Sequence, residues 1–303
     1  MIEKINTLLD DHFDLFFQNN NFQMKSVCHY IIKNGKRIRP LIAFDICNTI
    51  SNGTRNIGIT ALSIEYIHTA SLIIDDLPCM DNAKTRRNQE CVHIKYGEAI
   101  AQLASIIFMS LAMDAIYKGT ELMIEKNIIE KNDANIICVF FFNNFSHIIS
   151  LNGASGGQII DLTLSNKIPL DLGESLKNIC SNIDPFDIIQ KKTGVFFETS
   201  FLLGWIYGGG DMNKINHIKD ISKNFSMIYQ ILDDLEDIEE DLIVNKKNIS
   251  QNYAIHYGKD KAIVDIQNYI DIFIKQITEL NLLTPFFIDL IKYINQILIK
   301  HIQ

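Results

Sequence analysis

Proline is scarce in this chain of 303 residues: only Pro40, Pro78, Pro169, Pro185 and Pro285 occur. Between them, apolar residues recur at three- and four-residue spacing and do not alternate, which predicts helices and no run of strands. Long Pro/Ser/Gly-rich stretches are also missing, so no linker or disordered tail is read. The six cysteines, Cys28, Cys47, Cys79, Cys91, Cys138 and Cys180, lack a C-x-x-C pair and zinc-type His/Cys spacing. They read as buried, reduced thiols of a cytoplasmic protein. Basic charge is in deficit. A net charge of −8 argues against a nucleic-acid partner reached through phosphate contacts. The most apolar stretch, Ala99–Tyr117, contains Gln102 and Asp114 and is too short without interruption, so no membrane span is predicted. Met1–Asn20 carries Glu3, Asp10, Asp11 and Asp14, unlike a signal or basic transit peptide.

What is present is apolar content sufficient for a large core: 47% hydrophobic against 21% charged residues places the chain among soluble globular proteins. Helices are predicted at 2–18, 21–33, 40–50, 57–76, 97–118, 120–130, 134–151, 171–181, 187–207, 213–241, 257–280 and 285–302. Turn signals stand at Asn34-Gly35, Ser51-Asn52-Gly53, the Gly153–Gly157 run and Gly208-Gly209-Gly210. The fold class is all-α, one helical bundle in a single domain over 1–303.

Acid is concentrated in two places. The first is Ala70-Ser-Leu-Ile-Ile-Asp75-Asp76-Leu-Pro78-Cys-Met-Asp81, an apolar helix ending in carboxylates, which are costly to bury unless cations pair them. On an unbroken helix Asp75 and Asp81 would diverge; Pro78 ends or kinks it and lets Asp81 fold back, which makes a shared metal site feasible. The bland reading is an Asp pair closing a helix beside a turn. The second is Gln230-Ile-Leu-Asp233-Asp234-Leu-Glu236-Asp237, where Asp233 and Asp237 are four apart and share a helix face. Seven of the nine residues Asp233–Asp241 are acidic, and Glu239, Glu240 and Asp241 read as a solvated helix end. Hard oxygen donors that leave room for water and phosphate suit Mg²⁺ better than zinc.

A diphosphate held by magnesium also needs cations. Gly35-Lys36-Arg37-Ile38-Arg39-Pro40, Arg86-Arg87, Lys191-Lys192-Thr193-Gly194 and Lys246-Lys247 supply them in separate clusters. Each alone is ordinary solvated surface; the arrangement carries the information. His68, seven residues before Asp75, shares its helix face, and a neutral imidazole there can donate to a phosphate oxygen.

GKRIRP, DDLPCMD, RR, GGQIIDL, KKTG and QILDDLED stand in the order and about the spacing of the trans-isoprenyl diphosphate synthases, and from Gly35 to about Gly258 the chain resembles that family. The resemblance implies a homodimeric all-helical bundle around a deep central cavity, with isopentenyl diphosphate and allylic diphosphates as substrates. Asp75, Asp81 and Asp233 would bind three Mg²⁺ that bridge the allylic diphosphate, with Asp76, Asp234 and Asp237 in support. Arg86, Lys192 and Lys247 would hold that diphosphate; Lys36, Arg39, His68 and Arg87 would form the isopentenyl diphosphate site. Thr193 and Gln230 would present oxygen dipoles to a developing allylic cation, and no side-chain base is implied. The chain departs from the family at Ser250–Ala254, which lacks a usual lysine and proline, and at Ile74, where histidine is common.

Product length in the family depends on side chains one and two turns before the first aspartate. Here Ala70 stands five residues before Asp75 with Ser71 next to it, Ile67 and Ile64 lie further down, and Phe108 and Met109 on the neighbouring helix are an alternative floor. A small residue at 70 favours geranylgeranyl diphosphate; farnesyl or a slightly longer product is the alternative. A terpene cyclase would lack GKRIRP, and a non-catalytic regulatory subunit of a synthase would have lost one acidic motif.

Overall fold

The computed structural model describes residues 1–18, 23–165, 167, 168, 184–239, 242 and 252–302. The predicted helix at 171–181, Cys180, and Lys246 and Lys247 lie outside them. The chain gathers into two compact units, Met1–Asn143 with Leu202–Asp211, and Asn144–Phe201 with Met212–Gln303.

The first unit begins with α1 (Ile2–Phe17), which buries Ile5, Leu9, His12, Phe13 and Phe17 on one stripe. Then come α2 (Met24–Ile32), α3 (Ile38–Ile50), and a 3₁₀ turn at Gly58–Ala61 leading into α4 (Leu62–Asp75). A two-stranded hairpin follows, β1 (Thr85–Arg86) against β2 (Gln89–Glu90), antiparallel, with Thr85 opposite Glu90 and Arg86 opposite Gln89. After α5 (Val92–Tyr96) comes α6 (Glu98–Glu125), packed along α4. The core here is aromatic: Phe13 stacks on Tyr66 at 5.8 Å, and Phe108 lies 6.3 Å from Phe13 and 6.0 Å from Tyr66.

The predicted break between 118 and 120 does not occur, and α6 runs unbroken for 28 residues. Gly119 is there for close approach, since a Cβ on it would lie 1.9 Å from the Thr60 hydroxyl. Tertiary packing offsets the roughly 1 kcal/mol that glycine costs a helix interior. A second correction concerns Gly153–Gly157. Only Gly153 precedes a helix, and α8 (Ala154–Leu164) starts within the glycine run and buries Gly156 and Gly157. Between these, α7 occupies Lys131–Ile149.

In the second unit α9 (Pro185–Ile189) is capped by the Asp184 carboxylate, which accepts from the Phe186 N–H at 2.8 Å. A π-helical turn, Gln190–Gly194, joins it to α10 (Val195–Tyr207), which belongs to this unit as far as Phe201. Next come α11 (Ile215–Glu236), α12 (Tyr253–Tyr257), α13 (Lys259–Glu279) and α14 (Pro285–Ile302). Phe225 meets Phe197 at 5.0 Å and Phe273 at 5.3 Å, and Phe273 meets Phe287 at 5.7 Å, so one aromatic cluster ties α10, α11, α13 and α14.

Among the described cysteines, Cys28, Cys47 and Cys91 are buried as expected, Cys138 is half-buried, and Cys79 is exposed, because it rides the turn after α4; all five are free. By length and composition α6 and the stretch 131–164 are apolar enough to cross a membrane, and 44% and 33% of their most apolar segments are buried. The sequence reading of Ala99–Tyr117 stopped short of this, because α6 continues past Gly119.

Candidate active site

In the first unit α4 ends at Asp75, and the chain turns back immediately: the Asp81 N–H donates to the Asp75 carbonyl at 2.9 Å and the Asn82 N–H to that of Leu77 at 3.0 Å. Pro78 sits in this turn, so the predicted folding back of Asp81 is seen. Asp75 is half-buried and Asp81 exposed. Asp76 differs. It is 3% exposed, and its Oδ1 accepts from Arg86 Nε at 3.0 Å and Nη2 at 2.6 Å. Burial works against the Arg86 charge, and Asp76 more than offsets this, raising the guanidinium's pKa. Cys91 adds a hydrogen bond to Asp76; burial first, then Asp76, pushes its thiol up to about 12.

Two more of the predicted cations of this unit, Arg39 and Arg87, lie beside α4. Arg39, in the first turn of α3, places Nη1 3.2 Å from His68 Nε2. Arginine only donates, so Nε2 accepts and the imidazole is neutral with its proton on Nδ1. Burial, then Arg39, Arg87 and Arg86, holds the His68 pKa well below its ordinary value. Any donation by His68 to a phosphate oxygen therefore comes from Nδ1. Lys36 is exposed in the loop before α3, and Arg87 is half-buried at the hairpin turn.

Ala70 is fully buried; its carbonyl accepts from Ser105 Oγ of α6 at 3.1 Å. Ser71 is half-buried and donates to the His68 carbonyl at 2.9 Å, and Ile67 is 2% exposed. Phe108 belongs to the aromatic cluster with α1.

The second unit repeats the pattern. Asp233 is half-buried in the last turn of α11, and Asp237, exposed, caps that helix with its N–H on the Asp233 carbonyl at 3.0 Å. The helix therefore ends at Glu236, short of the predicted 241. Asp234 is buried and accepts from Gln230 Nε2 at 2.8 Å and from the Tyr253 N–H at 2.7 Å, while Asn252 Nδ2 donates to its carbonyl at 2.8 Å. Gln230 Oε1 in turn accepts from Thr193 Oγ1 at 2.8 Å. Lys192 and Thr193 sit in the π turn, and such turns re-aim side chains by inserting an extra residue. Lys192 pairs with Asp161, a residue the sequence reading did not single out although it is the Asp of GGQIIDL.

Among the described residues no three His, Cys, Asp or Glu side chains converge as a metal cage. Magnesium does not require one, since it takes one or two carboxylates and completes its shell with water and phosphate oxygens. The hard oxygens of Asp75 with Asp81, and of Asp233 with Asp237, fit that ion.

A family model described as polyprenyl synthetase matches residues 22–254. The geranylgeranyl diphosphate synthase of Cyanophora paradoxa is 33% identical over 221 residues, 73% of this chain and 67% of that one. A trans-prenyltransferase of African swine fever virus is 28% identical over 254 residues, 82% of this chain and 68% of the viral one. The chain thus spans about two thirds of the length of these curated relatives. Among solved structures, a geranyltranstransferase from Thermotoga maritima superposes with a TM-score of 0.73 at 23% identity, covering 98% of both chains, a likeness of fold.

Proposed function

The chain belongs to the polyprenyl synthetase family, and on that premise we propose that it condenses isopentenyl diphosphate with an allylic diphosphate, with geranylgeranyl diphosphate as the product. One observation carries the reading. In both acidic motifs the second aspartate is buried and engaged by protein donors, Asp76 by Arg86 and Asp234 by Gln230 and the Tyr253 N–H, while the first, Asp75 and Asp233, is half-buried in the last helical turn and the last, Asp81 and Asp237, is exposed beyond the helix. A solvated acidic helix end has no need of that division.

Asp75 and Asp81, and Asp233 with Asp237, would hold magnesium, which when bound supplies positive charge to a departing diphosphate. Arg86 is oriented by Asp76, and Lys192 by Asp161, so that both present fixed positive charge to the allylic diphosphate; Lys247 has the same proposed role. Lys36, Arg39 and Arg87 take the diphosphate of isopentenyl diphosphate, and neutral His68 adds a donor at Nδ1. Thr193 and Gln230 direct oxygen dipoles toward a developing allylic cation, the preorganised electrostatics that dominates such catalysis. The Thr193 hydroxyl proton is committed to Gln230, which leaves the threonine oxygen lone pairs for that task. The small side chain of Ala70 supports a product longer than farnesyl diphosphate.

We further propose a cytoplasmic homodimer. Leu103, Ile106, Met113 and Tyr117 on α6, and Ile136, Val139 and Phe142 on α7, are apolar and exposed. On α6 they follow a three-and-four spacing that forms a single seam.

The deciding experiment is incubation of the purified protein with Mg²⁺, labelled isopentenyl diphosphate and, separately, dimethylallyl, geranyl and farnesyl diphosphates. A twenty-carbon diphosphate is the expected product; absence of product with every primer would sink the proposal.

A further inference from the structure

Arg37 is the middle cation of Lys36-Arg37-Ile38-Arg39, and the proposed reaction gives it no task. Its side chain is turned inward and only 5% exposed, against a Glu65 side chain that is 3% exposed. Every arm of the guanidinium is used: Nη1 donates to Glu65 Oε1 at 2.9 Å, Nη2 to the Ile32 carbonyl at 2.7 Å, and Nε to Asn6 Oδ1 at 3.1 Å. The Arg37 backbone is left-handed, φ 58°, at the N-cap of α3. That conformation is unfavourable for a residue with a Cβ and persists only where the surroundings enforce it. Gly35 makes room for the pair, because a Cβ on it would lie 2.0 Å from Arg37 Nη1 and 2.7 Å from Glu65 Oε1.

The same Glu65 oxygen receives Arg87 Nη2 at 3.4 Å. Arg87 is also left-handed, φ 55°, and its carbonyl accepts from Asn34 Nδ2 at 3.4 Å. One turn further along α4, His68 meets Arg39. A single buried carboxylate thus ties together the loop that carries Lys36, the start of α3 that carries Arg39, and the hairpin turn that carries Arg87. Removing one member of such a buried group leaves an uncompensated charge, so the three segments hold one another in register.

We infer that Arg37 and Glu65 are a positioning pair for diphosphate recognition, which sets the directions of Lys36, Arg39 and Arg87 without itself touching substrate. The inference rests on the proposed reading of those three cations as the isopentenyl diphosphate site. Its test is Glu65→Gln in the full chain, which keeps the shape and one oxygen acceptor but removes the charge. Rates are measured with each substrate varied in turn. Binding of inorganic diphosphate in EDTA, which depends on neither turnover nor magnesium, is measured by calorimetry. The KM for isopentenyl diphosphate and the Kd for inorganic diphosphate should rise about tenfold, while kcat and the allylic KM stay within about threefold. Arg37→Lys, which preserves the charge but not three simultaneous bonds, should act in the same direction by about threefold, and it decides the matter if Glu65→Gln does not fold. Unchanged diphosphate binding, or equal losses for both substrates, would overturn the inference. If the wild-type chain makes no prenyl product, the assay removes the proposed reaction, and the calorimetric comparison still decides the positioning pair.

Discussion

Asp75 and Asp76 are adjacent in sequence and unlike in surroundings, one at a half-buried helix end and the other buried beneath Arg86. The same holds for Asp233 and Asp234. Asp75→Ala or Asp233→Ala should therefore lower kcat by roughly 10²-fold or more with little change in thermal melting; near-normal rates would remove these carboxylates from the chemistry. Among the imidazoles, His12 is fully buried, with Nδ1 2.9 Å from the Tyr66 hydroxyl and Nε2 3.0 Å from Asp114 Oδ2. Burial outweighs Asp114 and lowers its pKa below the ordinary 6.5. The folded state then binds fewer protons than the unfolded state just below pH 6.5, so stability falls as pH drops through that value toward the lower folded pKa. Each such group contributes a slope of at most about 1.4 kcal/mol per pH unit. Chemical denaturation at pH 7.5 and 5.5 should show a shallower pH slope for His12→Gln than for the wild type, and equal slopes would exclude His12 as a contributor.

Elements differ in how far their sequences define them. Helix α14 has its predicted bounds, because Pro285 pre-sets the first helical position and an apolar stripe continues to Ile302. Pro78 likewise made the end of α4 legible. Helix α6 was misjudged at Gly119 because the reason for that glycine, the Thr60 hydroxyl, is distant in sequence. Residue 70 of α4 carries the proposal on product length. Ala70→Phe must fit a ring at a position that is fully buried, overpacking that costs about 1–3 kcal/mol. The product of this variant, read by chromatography, should be shorter than that of the wild type. An unchanged product in a folded variant would move the floor away from residue 70.

For the whole molecule, the exposed apolar residues of α6 and α7 lead to a prediction about assembly. A stable dimer needs about 800 Å² from each partner, and light scattering behind size exclusion should give twice the chain mass. Ile106→Lys combined with Val139→Lys should return a monomer. If the wild type is instead monomeric at micromolar concentration and sediments with lipid vesicles, those residues meet a membrane, as the length and hydropathy of these helices also permit.

Composition and spacing sufficed for the all-α fold, since helical periodicity is a local property, and for the two acidic motifs and their cation clusters, whose order along the chain is itself the signal. The bracing of Asp76 by Arg86 and Cys91, the pairing of Lys192 with Asp161, the anchoring of Tyr253 on Asp234 and the inward turn of Arg37 onto Glu65 were decided by tertiary structure alone. The physical reason is that burial, and with it the cost of an unpaired charge, depends on neighbours brought from elsewhere in the chain. In sequence Arg37 is one cation among three, and only the fold turns it inward onto Glu65 while Lys36 stays exposed and Arg39, itself buried, meets His68.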